Sequence, residues 1–179
     1  MPRLINFTKR SDVPENLQKT YDTVAALRNG AVSGPYGILL HSPDLAVSGA
    51  ALGKYLRWNS ALTPSQREIA ILTVAQILEA KVMWSAHVRL ARDAGVREEV
   101  IDTIAHSADL TKLTSEESQI IRYVDELFNN NKIRNATFDS LHRRLGDQGI
   151  VDITGLVGYY AFVGATLNAF ELEPLNDPT

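Results

Sequence analysis

The chain has 179 residues, of which 45% are hydrophobic and 22% charged, a composition typical of one soluble globular domain. The formal net charge is −3 and the 18 lysines and arginines are scattered, which argues against a nucleic-acid partner and against a helix-turn-helix over residues 137–153. Cysteine is absent, which excludes disulfide bonds, thiolate nucleophiles and zinc–thiolate sites.

The first third of the chain is predicted to form helices separated by a loop. Apolar residues at three- and four-residue steps predict a helix over about 14–28. The next segment, 29–37, has three glycines and a proline and is expected to lack regular structure. Ser42 followed by Pro43 marks the start of a helix to about residue 60, because proline at the first helical position loses only an amide that is unpaired anyway.

Capping boxes give two further helix starts. Thr63 with Gln66, and Thr114 with Glu117, have the spacing at which side chain and backbone cap each other. Gly95 and Gly146 are placed to end helices in the left-handed conformation. The remaining predicted helices span about 64–78, 83–94, 97–106, 115–128, 137–145 and 148–171.

One segment needs a membrane check. Residues 153–170 carry no charge over 18 residues, the lower limit for a membrane-spanning helix. Three glycines, two threonines and an asparagine, with no cationic flanks, favour a helix buried in the core or between subunits, so no membrane is predicted. The first twenty residues contain no apolar stretch typical of a secretory signal, and a cytoplasmic location is expected.

Glu68 and His87 are polar residues on predicted apolar helix faces. His87 shares its stripe with Trp84, while Glu68 lies three and four residues before Ile71 and Leu72. On one continuous helix the two would be about 28 Å apart, so they meet only if the chain turns near residues 79–81. If they meet, the carboxylate would fix the imidazole tautomer and raise its basicity for proton exchange with a substrate. A buried pair that only joins two helices is the alternative.

Several stretches, in chain order, resemble the carboxymuconolactone decarboxylase-like family, which shares its fold with the alkylhydroperoxidase D-like proteins. They are GPYGILLHSPDLA (34–46), GKYLRWNSALTPSQREIAILTVA (53–75), MWSAHVRLARDAGV (83–96) and LVGYYAFVGATLNAFE (156–171). The resemblance implies one all-α domain over residues 1–179, with about seven to eight helices. It also implies a homo-oligomer, a trimer or hexamer, with a dimer as the smaller alternative.

The peroxidase branch of this family has a glutamate, a C-x-x-C pair and a histidine. The resemblance maps the glutamate to Glu68 and the histidine to His87, and the cysteine positions fall on Ala80 and Met83. Thiol-dependent peroxide reduction is therefore excluded. Cysteine-free relatives commonly read E-W-x-x-H at this point, and here Met83 replaces that glutamate whereas Trp84 and His87 match.

The resemblance implies a cofactor-free lyase or isomerase that acts on a small organic acid or lactone. His87 would transfer the proton and Glu68 would orient it. Five residues are predicted to bind the substrate. Trp84 and Met83 would form a wall of the pocket, and Arg57 would bind a substrate carboxylate. Tyr36 and His41 lie beside the glycine-rich loop that could cover the site. Core packing, solvation or loop packing is the structural alternative for each.

Two other functions are weighed against an enzyme of this kind. The first is a non-catalytic oligomeric protein that has the same fold and binds a small molecule. The missing cysteines and Met83 favour it. Metal-dependent chemistry is not predicted, because the four histidines show neither H-x-x-x-H nor H-E-x-x-H spacing; they are His41, His87, His106 and His142. No metal and no cofactor are expected.

Overall fold

A computed structural model describes residues 2–173, which form helices and no strand. The eight α-helices are α1 (Glu15–Leu27), α2 (Tyr36–Leu39), α3 (Pro43–Trp58), α4 (Pro64–Ile77), α5 (Lys81–Asp93), α6 (Glu98–Ala105), α7 (Ser115–Asn130) and α8 (Asn135–Ala169). Single 3₁₀ turns lie at Arg10–Asp12 and Leu110–Lys112. The predicted all-α class and the predicted number of helices are confirmed.

The predicted helix starts follow from local hydrogen bonds. In α4, the Gln66 amide donates to Thr63 Oγ1 at 3.2 Å and the Thr63 amide donates to Gln66 Oε1 at 2.8 Å. Thr114 and Glu117 repeat this reciprocal arrangement at the start of α7. Each box satisfies two backbone amides that the first helical turn would otherwise leave without acceptors.

The glycine-rich loop is shorter than predicted. The prediction of an irregular segment over 29–37 is wrong at its end, because Tyr36 and Gly37 lie in the one-turn helix α2. All four residues of α2 are buried, so packing of this apolar turn outweighs the local effect of its glycine. Phe7 covers the turn, and its amide donates to the Gly37 carbonyl at 3.3 Å.

Helix α4 lies at the centre of the fold. It packs against α5, α6, α7 and α8, and every residue from 68 to 75 is buried. A helix that is surrounded on all sides has no solvent face, so its apolar residues form no single stripe. A second, smaller core joins α1, α2 and α3 around Val24, Tyr36 and Leu40.

The turn between α4 and α5 brings Glu68 and His87 to the same level of the fold. Glu79 has φ 49°, in the left-handed region, and the Ala80 amide donates to the Ala75 carbonyl at 2.9 Å. This turn folds α5 back onto α4 and brings the middle of α5 level with the first turns of α4. Neither glycine nor proline marks the turn in the sequence.

Helix α8 is broken at Gly146, where φ is 69° and ψ is −178°. The predicted division into two helices at this glycine is therefore confirmed. The part beyond the break is long and apolar enough to cross a membrane, but 61% of its most apolar 18-residue window is buried inside the protein. It is packed like the core helix of a soluble protein, as predicted for residues 153–170.

Gly53 permits the close contact between α3 and α8. A Cβ at this position would lie 2.7 Å from Cζ of Tyr159, whose hydroxyl is held by Tyr36 at 2.7 Å. We expect Gly53→Ala to lower the free energy of unfolding by about 1–3 kcal/mol through overpacking. Gly158→Ala is the control, because a Cβ there meets nothing within 4 Å and helix propensity favours alanine. Urea denaturation of both variants tests this, and equal stability of the two would contradict it.

Candidate functional site

Glu68 and His87 meet between α4 and α5. His87 Nδ1 lies 2.6 Å from Glu68 Oε2, and the two residues are 6% and 8% exposed. Because an ionised carboxylate only accepts hydrogen bonds, Nδ1 is the donor in this contact. The turn that the sequence argument required is therefore present, and it brings the two residues into direct contact.

The contact leaves His87 Nε2 as the functional atom of the ring. No described residue hydrogen-bonds Nε2, and it is not among the fully enclosed atoms without a partner, so it keeps some accessible surface. With the proton on Nδ1, Nε2 carries a lone pair and accepts a proton from a bound molecule. The Glu68 carboxylate then stabilises the imidazolium that forms.

Tyr160 of α8 covers the other side of the imidazole. Its ring lies edge to face against His87, with centroids 5.1 Å apart, and the residue is 2% exposed. Burial raises the pKa of the Tyr160 phenol, Arg57 opposes this, and Glu68 raises the pKa further. Tyr160 was not among the predicted site residues, and the one sequence feature that could have indicated it is a hydroxyl inside the uncharged segment 153–170.

Two arginines lie near the pair. Arg67 of α4 donates from Nη1 to the Leu62 carbonyl at 2.5 Å. Burial lowers the pKa of Arg67, while Glu68 raises it and Arg57 lowers it, so the three charges share one neighbourhood. Arg57 of α3 is half-buried, and its guanidinium lies 5.4 Å from the Trp58 ring centroid. The predicted carboxylate clamp, Arg57, is thus placed beside Tyr160 and has no hydrogen-bond partner among the described residues.

Two of the predicted pocket residues lie beside the pair on α5. Met83 is 2% exposed and belongs to the main core, where it packs against α8 at Gly164. Trp84 is half-buried and packs against the same core. Their contacts are those of core packing, and their contact with a substrate stays a prediction.

Tyr36 and His41 have partners elsewhere. Tyr36 is buried in the smaller core, and its hydroxyl lies 2.7 Å from that of Tyr159. His41 is exposed, and its Nε2 donates to the Ile5 carbonyl at 2.9 Å. Both contacts match the structural alternatives of loop packing. The structure does not bring either residue into contact with Glu68 or His87.

Residues 43–126 match the model of the carboxymuconolactone decarboxylase family, and they include both Glu68 and His87. The match covers 84 of the 179 residues. A protein described as peroxidase-related and uncharacterized, from Silicibacter sp. TM1040, has the same fold, with a TM-score of 0.74 at 17% identity over 98% of this chain and 94% of that one. An alkylhydroperoxidase AhpD core protein from Ralstonia eutropha JMP134 gives 0.72 at 17% identity, covering 95% and 90% of the two chains.

The debrominase Bmp8 also shares the fold. A cysteine-to-alanine variant of it, in complex with 2,3,4-tribromopyrrole, superposes with a TM-score of 0.71 at 16% identity, covering 98% of this chain and 94% of the other. Among curated proteins, none matches the sequence. The chain therefore has the alkylhydroperoxidase D-like fold, as predicted from its resemblance.

The two positions to which the resemblance maps a redox cysteine pair are buried and apolar. Ala80 precedes α5 and is 1% exposed, and Met83 lies in its first turn. No thiol chemistry is available there. Residues 2–173 contain no cluster of three or more histidine, aspartate or glutamate side chains that could bind a metal ion.

Two cavities lie away from the pair. One, of about 330 Å³, is between α4, α6 and α7, where Gln76 and Glu126 contribute to its wall. Another, of about 230 Å³, is an open groove between the start of α5 and the end of α8. Neither includes Glu68 or His87.

Proposed function

We propose that this protein is a cofactor-free lyase or isomerase that acts on a small organic acid or lactone by proton transfer through His87. The observation that carries the proposal is the buried contact of 2.6 Å between His87 Nδ1 and Glu68 Oε2, within the region that matches the family. The contact gives the imidazole one defined tautomer and leaves Nε2 for a substrate.

Decarboxylation illustrates the chemistry that these groups support. The bond between carbon and the carboxylate breaks, carbon dioxide leaves, and the electron pair passes into a neighbouring carbonyl as an enolate. His87 Nε2 first takes a proton from solvent, Glu68 stabilises the resulting imidazolium, and Nε2 then delivers that proton to the carbon and returns to its neutral form. Arg57, which has no hydrogen-bond partner among the described residues, would hold a second carboxylate of the substrate.

A direct assay tests the proposal. Purified protein, dialysed against EDTA, is incubated with carboxymuconolactone in deuterated buffer, and carbon dioxide release and deuterium incorporation are followed by NMR. Turnover without added metal or cofactor supports the proposal. A shift of the melting temperature without consumption of the lactone would overturn it in favour of a protein that only binds the molecule.

We also propose that the protein assembles as a homo-oligomer through one apolar face and acts in the cytoplasm. Leu45, Leu52 and Tyr55 of α3 follow at seven- and three-residue steps, so they share one side of the helix, and each is at least 40% exposed. Val151 of α8 is 68% exposed, and Tyr55 bonds its neighbour Asp152. Contiguous exposed apolar side chains commonly mark a protein interface.

Leu52→Glu is expected to dissociate the oligomer, because it places a charge in the centre of the proposed interface. Light scattering after size exclusion would then report a mass near the 19.8 kDa of one chain. Phe138→Glu is the control, since Phe138 is exposed near the start of α8 and lies outside this face. A wild-type mass of one chain, or equal masses for wild type and Leu52→Glu, would contradict the proposed interface.

A further inference from the structure

Tyr160 is a buried phenol to which residues 2–173 give no hydrogen-bond partner. The residue is 2% exposed, yet no described residue accepts from or donates to its hydroxyl. The other three buried tyrosines show the usual arrangement: Tyr159 pairs with Tyr36, and Tyr123 pairs with Thr154, each at 2.7 Å. Buried tyrosine hydroxyls normally find a partner, and a bound molecule could supply the one that residues 2–173 do not give Tyr160.

The hydroxyl is not sealed in the core. Among residues 2–173, the polar side-chain atoms that are fully enclosed without a partner are Asn6 Oδ1, Arg28 Nε and Gln119 Oε1. The Tyr160 oxygen is not one of them, so it borders an accessible space. His87 Nε2 meets the same two conditions, because it too lacks a partner and is not fully enclosed.

Ring packing places Tyr160 beside the Glu68–His87 pair. The Tyr160 ring contacts the imidazole edge to face at 5.1 Å. Burial raises the pKa of the phenol, and Arg57 and Glu68 act on it in opposite directions. The phenol is therefore protonated at neutral pH and presents a donor hydrogen rather than a negative charge.

We propose that Tyr160 is a catalytic residue that donates a hydrogen bond to the oxyanion formed on the substrate while His87 carries the proton. This inference rests on the proposed function, since it assigns the second polar group of the same site. The phenol keeps its own proton: the substrate carbonyl gains the electron pair, His87 supplies or takes the proton, and Tyr160 returns unchanged. A neutral donor fixed in place before the reaction stabilises developing charge without reorganisation.

The substrate class follows from this pairing. A donor for an oxyanion is useful only where a carbonyl lies next to the carbon that exchanges a proton or loses carbon dioxide. The substrate should therefore be a β-keto acid, an enol lactone or a related acid whose carbanion is conjugated with a carbonyl. An acid that lacks such a carbonyl should not be turned over.

Tyr160→Phe tests the proposal, with Tyr123→Phe as the matched control, because both remove one hydroxyl from a buried tyrosine. The first readout is the affinity for 4-nitrophenolate, an oxyanion whose visible absorption shifts when it accepts a hydrogen bond. We expect Tyr160→Phe to weaken binding about 10- to 100-fold and to abolish the shift, as the loss of a hydrogen bond to a charged group predicts. Tyr123→Phe should change neither.

The second readout is turnover of carboxymuconolactone, where Tyr160→Phe should lower kcat about 100- to 1,000-fold with little change in KM. Equal affinity for 4-nitrophenolate in wild type and Tyr160→Phe, or no binding by wild type, would overturn the role of Tyr160. Probe binding that depends on Tyr160, without turnover by wild type, would retain the oxyanion donor and overturn the decarboxylation. The two failures are therefore distinguishable.

Discussion

His87→Gln is expected to lower the rate of proton transfer about 100- to 10,000-fold, the range typical of a positioned general acid or base. Glutamine fills a similar volume and keeps a side-chain amide that can donate to Glu68, but it has no titratable nitrogen to replace Nε2. The variant therefore keeps a hydrogen bond to Glu68 in place of the wild-type contact at 2.6 Å, but it loses the atom that transfers the proton. The measurement is kcat for carboxymuconolactone, with circular dichroism to verify the helical content.

His106→Gln is the control for this substitution. His106 is exposed at the end of α6 and its Nδ1 donates to the Asp102 carbonyl at 2.9 Å, so its replacement should leave kcat unchanged. Glu68→Gln should reduce kcat less than His87→Gln, because an acceptor oxygen for Nδ1 remains although the charge that stabilises the imidazolium is lost. Full activity of His87→Gln in a folded protein would disprove the proposed mechanism.

The part of the fold that depends on local chemistry was predictable. The capping boxes at Thr63 and Thr114 act within one helical turn, and Gly146 breaks α8 because its left-handed backbone favours glycine. The inward position of His87 followed from the apolar stripe of α5, and the structure places it 6% exposed. Each of these features is decided by residues a few positions apart.

The features that depend on distant contacts were not predictable from the residues alone. The turn at Glu79 uses a left-handed conformation that glutamate rarely adopts, so only the packing of α5 on α4 accounts for it. Tyr160 lies 73 positions from His87 in the chain, and nothing in the helical pattern of α8 indicates that its hydroxyl lacks a partner. The hydrogen bond of His41 is of the same kind, since its partner Ile5 comes from the distant N-terminal segment.

Glu126→Ala is expected to lower the free energy of unfolding by about 2–3 kcal/mol, because it removes a buried carboxylate that joins the end of α7 to the start of α8. Glu126 is 4% exposed and accepts from the Arg134 amide at 2.9 Å, from Arg134 Nε at 2.7 Å and from Thr137 Oγ1 at 2.8 Å. A hydrogen bond to a charged group contributes about 1.5–3 kcal/mol net, and the exposure of Arg134 weakens the bonds that its guanidinium makes. Asp125→Ala, at the exposed neighbouring position, should change stability by less than about 0.5 kcal/mol.

The effect of Glu126 should also depend on pH in a defined direction. Burial raises the pKa of this carboxyl, but the hydrogen bonds from Arg134 and Thr137 outweigh burial and hold the pKa below its usual value. The unfolded chain then takes up the proton at a higher pH than the folded chain, so the stabilisation is complete above the ordinary glutamate pKa of about 4.3 and is lost as the pH falls through the folded value. Urea denaturation at neutral and acidic pH should show the difference between wild type and Glu126→Ala shrinking with acid. If the difference in the free energy of unfolding stayed constant with pH, the charge of Glu126 would not contribute to stability.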